Sequence, residues 1–176
     1  TRLFDIIYTS LDVADAREMP DGFRARIRRR RAQCMRANGA FDNARTEFES
    51  LLEEAAINQA AELYSDIGLS AGSFRWLDDV SIPADENEAT SMQGRIRDGE
   101  PLYRKAIEIE GVAATNARYC LGVLALLDGE HEAAIEHFDE AFVGALERLN
   151  RYRSVRVWPR LKVYLAVSLL AGADED

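Results

Sequence analysis

Between Thr115 and Ala141 the chain carries two runs of helical periodicity separated by Asp128-Gly129, and this stretch of 27 residues constrains the fold more than any other. On both sides of the turn, apolar residues return every three or four positions, which places them on one face of a helix. Glycine accepts the left-handed backbone that closes a helix, so Gly129 is a natural stop. An amphipathic helix must bury its apolar face, and a turn this short offers its neighbour as the partner. The stretch therefore reads as a helical hairpin. Such a unit builds a surface and has no chemistry of its own.

The rest of the chain follows the same style. Strand-like alternation is nearly absent, and Ala, Leu, Glu and Arg dominate. Residues 1–16 read as a first helix with Leu3, Ile6, Ile7 and Leu11 along one side, ended by Pro20-Asp21-Gly22. A helix over 22–37 follows, capped by Asp21 and closed by Asn38-Gly39. The next opens near Phe41 and carries Ala44, Phe48, Leu51 and Leu52. Asn58 restarts the pattern with Ala61, Leu63, Tyr64 and Ile67, and a short helix containing Trp76 is expected over 73–80. Residues 82–88, with their proline and carboxylates, are expected to be an exposed, mobile loop. A helix over 89–97 should stop at Asp98-Gly99-Glu100-Pro101, where a new one starts with proline in its first turn. After the clear hairpin, a long helical segment over 148–171 should kink at Pro159. The expectation is an all-α chain of at least seven helices, stacked as antiparallel hairpins.

Composition narrows the function. The 176 residues are 47% hydrophobic and 30% charged, typical of a globular chain with a real core. A net charge of -9 argues against nucleic acid or an anionic membrane surface as the main partner. The apolar runs 119–127 and 163–170 are far shorter than the roughly 20 residues that span a bilayer. Cys34 and Cys120 sit among apolar neighbours and read as buried free thiols of a cytoplasmic protein. The chain starts at Thr1 rather than Met, which fits a fragment of a longer protein.

Asn38-Gly39 is followed by Ala44 and Phe48 at the same spacings that join Asp128-Gly129 to Ala134 and Phe138. Tyr103 and Ala106 precede Phe138 and Ala141 by 35 residues. With Leu121-Gly122 in the preceding helix, this pattern resembles the tetratricopeptide repeat, most clearly over 115–141 and 25–52. Two departures stand out: Arg31 and Arg118 replace apolar residues, and Ala44 and Ala134 are 90 residues apart, no multiple of the repeat's usual 34. The resemblance implies an irregular right-handed α-solenoid in which 1–176 is a single tetratricopeptide-like helical domain.

Motifs for catalysis are weak. Gly68-Leu69-Ser70-Ala71-Gly72 matches a nucleophile elbow in letters, but that elbow needs a strand before it and a helix after it. His131 and His137 are six residues apart on one helix and point to different faces. No phosphate-binding or dinucleotide loop is present. The expectation is a non-enzyme without cofactor or metal.

Arginine is the strongest functional signal. Arg24, Arg26, Arg28, Arg29, Arg30, Arg31 and Arg36 crowd one helix, and a second basic cluster begins at Arg148. A salt-bridged surface is the plain explanation for such a helix. The resemblance implies something sharper, because the first helix of each hairpin then lines a concave groove. Its stripe would comprise Arg26, Arg29, Gln33 and Arg36 from one helix, Asn116, Tyr119 and Val123 from another, and Asn150, Arg153 and Arg160 from the last. Arginine forks beside amides and an aromatic ring suit an extended acidic peptide or a terminal carboxylate. The expected function is a scaffold for a peptide or partner protein, compatible with homo-oligomers. The alternative is a regulatory or nucleic-acid-contacting domain of a larger protein.

Overall fold

The computed structural model describes residues 21–55, 57–81, 83–110 and 114–152. Over these residues the chain is all helical: α1 (Asp21–Ala37), α2 (Phe41–Glu54), α3 (Ile57–Ala71), α4 (Glu86–Glu110), α5 (Thr115–Leu127) and α6 (His131–Tyr152), with one 3-10 turn at Leu77–Asp79. The first expected helix, over 1–16, and most of the last, over 148–171, lie outside the described residues. No helix among those described is long and apolar enough to cross a membrane.

Helix order follows chain order in space. Each helix packs on the one before and the one after, most closely as α1 with α2, α3 with α4, and α5 with α6. In addition, α3 touches α5, and side chains of α1 reach α3. The first helices of the three pairs thus touch in series, α1 on α3 and α3 on α5. The core is correspondingly divided. A smaller cluster joins α1, α2 and α3 around Ala32, Ala44, Phe48 and Ile67. A larger one joins α3 to α6 around Tyr103, Cys120, Val123 and Phe138.

One local device recurs in all three first helices. At the end of α1, Gly39 N–H donates to Arg36 O at 2.9 Å and Ala40 N–H to Met35 O at 2.9 Å. At the end of α5, Gly129 N–H donates to Leu126 O at 3.3 Å and Glu130 N–H to Ala125 O at 2.8 Å. Both are Schellman caps, with the glycine at φ +85° and +77°. The end of α3 repeats the geometry, since Ser73 N–H donates to Ser70 O at 3.0 Å and Phe74 N–H to Leu69 O at 2.8 Å. There the left-handed position is held by Ser73, at φ 55°, instead of glycine.

In two of the hairpins the following helix starts at once. After α3 it does not, and here the sequence expectation needs correction. The short helix expected over 73–80 is reduced to the 3-10 turn, because Ser73 has already turned the backbone out of the helical region. The break expected at 98–101 is also absent. Helix α4 runs unbroken through Pro101, which faces solvent, while Ile96, Gly99, Tyr103 and Ala106 are buried. An interior proline costs a helix about 3 kcal/mol, and burying a face that includes a whole tyrosine and isoleucine offsets it. Asp85 caps the start of α4, accepting from Glu88 N–H at 2.9 Å.

Candidate functional site

Helix α1 carries the arginines, and the residue that organises them lies on α3. Asp66 sits between Leu63 and Ile67 on a helix face that packs inward. Its carboxylate accepts from Arg36 Nη1 at 2.9 Å, from Arg29 Nη2 at 2.8 Å and Nε at 2.9 Å, and from Gln33 Nε2 at 3.3 Å. Arg36 also donates to the Asp66 carbonyl at 3.1 Å, and its guanidinium lies 5.8 Å from the Phe48 ring centroid. Arg29 reaches Glu62 as well. Burial disfavours the charge on Arg29, but Asp66 and Glu62 outweigh it and raise the pKa of the guanidinium. Further out, Arg28 bridges Glu47 at 2.8 Å and Glu54 at 2.8 Å, tying α1 to α2.

The expected stripe is therefore real as a helix face but is not the open surface anticipated. Arg36 is only 5% exposed. A guanidinium this deep is tolerable only with a carboxylate beside it, and Asp66 provides one. Gln33 and Arg29 are half-buried on the same carboxylate, and Arg26 alone of the four is exposed. In α5, Tyr119 and Val123 are buried, which corrects their placement on an open groove. Tyr119 stacks at a tilt on Phe138, 6.2 Å between centroids, and its hydroxyl donates to Val80 O at 2.7 Å. Asn116 is half-buried and lines a crevice with Ser65 and Glu62 between α3 and α5. Asn150 falls in the last turns of α6, where the backbone alone is described, and Arg153 and Arg160 lie outside the described residues.

What remains open beside this network is a cleft of about 340 Å³ where α1, α2 and α3 meet. Leu51, Ala55 and Leu63 form its apolar floor, and Arg26, Gln59 and Glu62 stand at its polar rim. A second hollow, of about 390 Å³, lies between α4, α5 and α6 beside Arg97, Asp128 and His137. Arg97 pairs with Asp128 there at 2.9 Å. His137 is held below the ordinary histidine range, first by burial and then by the nearby Arg118 guanidinium. Arg118, one of the two departures from the repeat pattern, is buried and pairs with Glu140.

Ser70 is buried in α3 and donates to Asp66 O at 2.9 Å, so its serine–glycine motif is a helix end. Cys34 and Cys120 are free thiols. Cys120 is fully buried, and burial pushes its pKa up to about 12, so it stays a thiol. Among the described residues, no group of three His, Cys, Asp or Glu side chains is placed to hold a metal ion.

Asp66 and the segment after Gly72 are the residues that sequence reasoning missed. Asp66 did leave a trace, as the one carboxylate between apolar residues on the buried side of α3. The chain matches no family model, no curated protein and no solved structure.

Proposed function

We propose that this chain is a protein-interaction scaffold built from three tetratricopeptide-like hairpins, α1–α2, α3–α4 and α5–α6. The observation that carries the reading is a repeated pair of features. Each first helix ends in the same Schellman cap, and in each hairpin a small residue of the first helix goes with an aromatic residue of the second. Phe138 lies on Gly122, Tyr103 lies on Gly68, and Phe48 shares a cluster with Ala32. Ala32 and Phe48 are 16 residues apart, as are Gly122 and Phe138, whereas Gly68 and Tyr103 are 35 apart. The middle unit thus carries 19 extra residues between its small residue and its aromatic, shared between the longer 72–85 connection and the earlier start of α4, and without them the 90 residues from Ala44 to Ala134 shorten to 71, close to two repeats of 34.

A scaffold of this kind binds by shape and by side chains displayed along its layers. The α1–α2–α3 cleft is the best-formed position for a partner segment. Its floor takes an apolar side chain, and Arg26 at the rim favours an acidic group next to it. The arginines committed to Asp66, Glu62, Glu47 and Glu54 stiffen the walls of that cleft. The same commitments leave fewer cations for phosphates, so a protein or peptide partner is preferred over nucleic acid.

The test is capture of partners from the native lysate by the wild-type chain and by Arg26→Glu, with mass-spectrometric identification. Partners held by the wild type and lost by the variant support the cleft. Equal retention by both, or no retained partner, rejects it.

A further inference from the structure

We propose that residues 72–81 form a resident strap on the series of first helices, occupying ground that an extended partner segment would otherwise take. The proposal rests on the scaffold reading above and adds a regulatory element to it.

The strap is the first stretch of the long connection in the middle hairpin. It leaves α3 at Gly72 and is held by side chains of three different helices. Arg95 on α4 donates to Gly72 O at 2.9 Å and to Ser73 O at 2.7 Å, and its guanidinium lies 4.0 Å over the Phe74 ring. Arg36 on α1 donates from Nε to Arg75 O at 3.3 Å. Tyr119 on α5 donates to Val80 O. The strap therefore passes from contact with α1 to contact with α5 across the series in which α3 lies between them. Arg36 and Tyr119 are two of the side chains that the repeat register assigns to the groove, and each donates to a strap carbonyl.

The mode of attachment is that of a bound peptide. Trp76 and Val80 are in extended conformations. Side-chain donors read strap backbone carbonyls, and two apolar anchors, Phe74 and Val80, are each 0% exposed. Between the anchors Leu77 packs against the larger core cluster, while Trp76 is 52% exposed on the outer side. Asp79 fixes that outward turn by accepting from Trp76 N–H at 2.9 Å. A segment able to replace the strap would be extended. It would offer a carbonyl to Tyr119 beside a β-branched residue in the Val80 position, and a second carbonyl to Arg36.

The test uses a synthetic peptide of residues 72–81 as the probe, with full-length chains. Val80→Asp puts a carboxylate into an apolar site and should expel the intramolecular strap. That variant should bind the labelled peptide in fluorescence polarisation, and the native chain at least about tenfold more weakly, because its site is already filled. Equal binding to both, or none to the variant, overturns the proposal. If circular dichroism shows Val80→Asp unfolded, Tyr119→Phe decides instead. Hydrogen exchange at residues 74–81 should then rise about tenfold, the size expected for one lost buried hydrogen bond, with α5 and α6 unchanged. No rise, or a rise that spreads through α5, overturns it. Loss of partners on Arg26→Glu is read in a separate measurement, so the scaffold reading stands or falls apart from the strap.

Discussion

Arg36 and Asp66 meet twice, once through the carboxylate at 2.9 Å and once through the Asp66 carbonyl at 3.1 Å, and both side chains are almost wholly buried. The pair joins the first hairpin to the second beside the cluster that Phe48 and Ile67 share. Removing one partner leaves the other charge buried without compensation, which costs about 3–5 kcal/mol. Asp66→Ala should cost that much in chemical denaturation. Arg45→Ala, which breaks an exposed pair with Glu49, should cost less than about 1 kcal/mol. Similar losses for the two variants would mean that Asp66 is not the hub.

Phe138 fills the gap between α5 and α6 and is fully buried against Gly122. Phe138→Ala should destabilise the chain by about 3–5 kcal/mol, the range for a truncated core phenylalanine. An unchanged melting temperature would show that the hairpin does not pack as described.

Ser73 holds a left-handed backbone at φ 55° in a cap where the two equivalent positions are Gly39 and Gly129. A non-glycine residue pays about 1–2 kcal/mol there. Ser73→Gly should recover part of that, about 0.5–1 kcal/mol after the added freedom of the unfolded chain is deducted. A destabilised variant would show that the Ser73 side chain contributes more than its backbone costs.

His137 has its pKa depressed in the folded chain by burial and by Arg118. The unfolded state then binds its proton first, so stability is fully present above the unfolded value, near 6.5, and falls as the pH drops through the lower folded value. Glu136 opposes the depression, and Arg104 adds to it. His137→Gln should flatten the decline in melting temperature between about pH 7 and pH 5 relative to the wild type. Parallel declines in both chains would assign the acid sensitivity to other groups.

Helices and their ends were the legible part of this sequence. The spacing of Ala44, Phe48, Ala134 and Phe138 after a turn glycine marked two hairpins, and both caps and all four buried positions are found. Periodicity and turn chemistry are local, so a single segment carries enough information to specify them. Two breaks were misread because their outcome was not local. Pro101 is tolerated in α4 through burial of the residues around it, and the 73–80 segment follows its anchors Phe74 and Val80 in place of its own helix propensity.

The arginine stripe shows the boundary most clearly. The 3–4 spacing of Arg26, Arg29, Gln33 and Arg36 determined that they share one face of α1. Whether that face met solvent or a carboxylate depended on what packed against it, and Asp66 is 30 residues beyond Arg36 on another helix. Nothing local to either segment encodes that meeting. Tertiary packing decided it by burying charges that can persist only in each other's company, and so turned most of an expected binding surface into the joint between two hairpins.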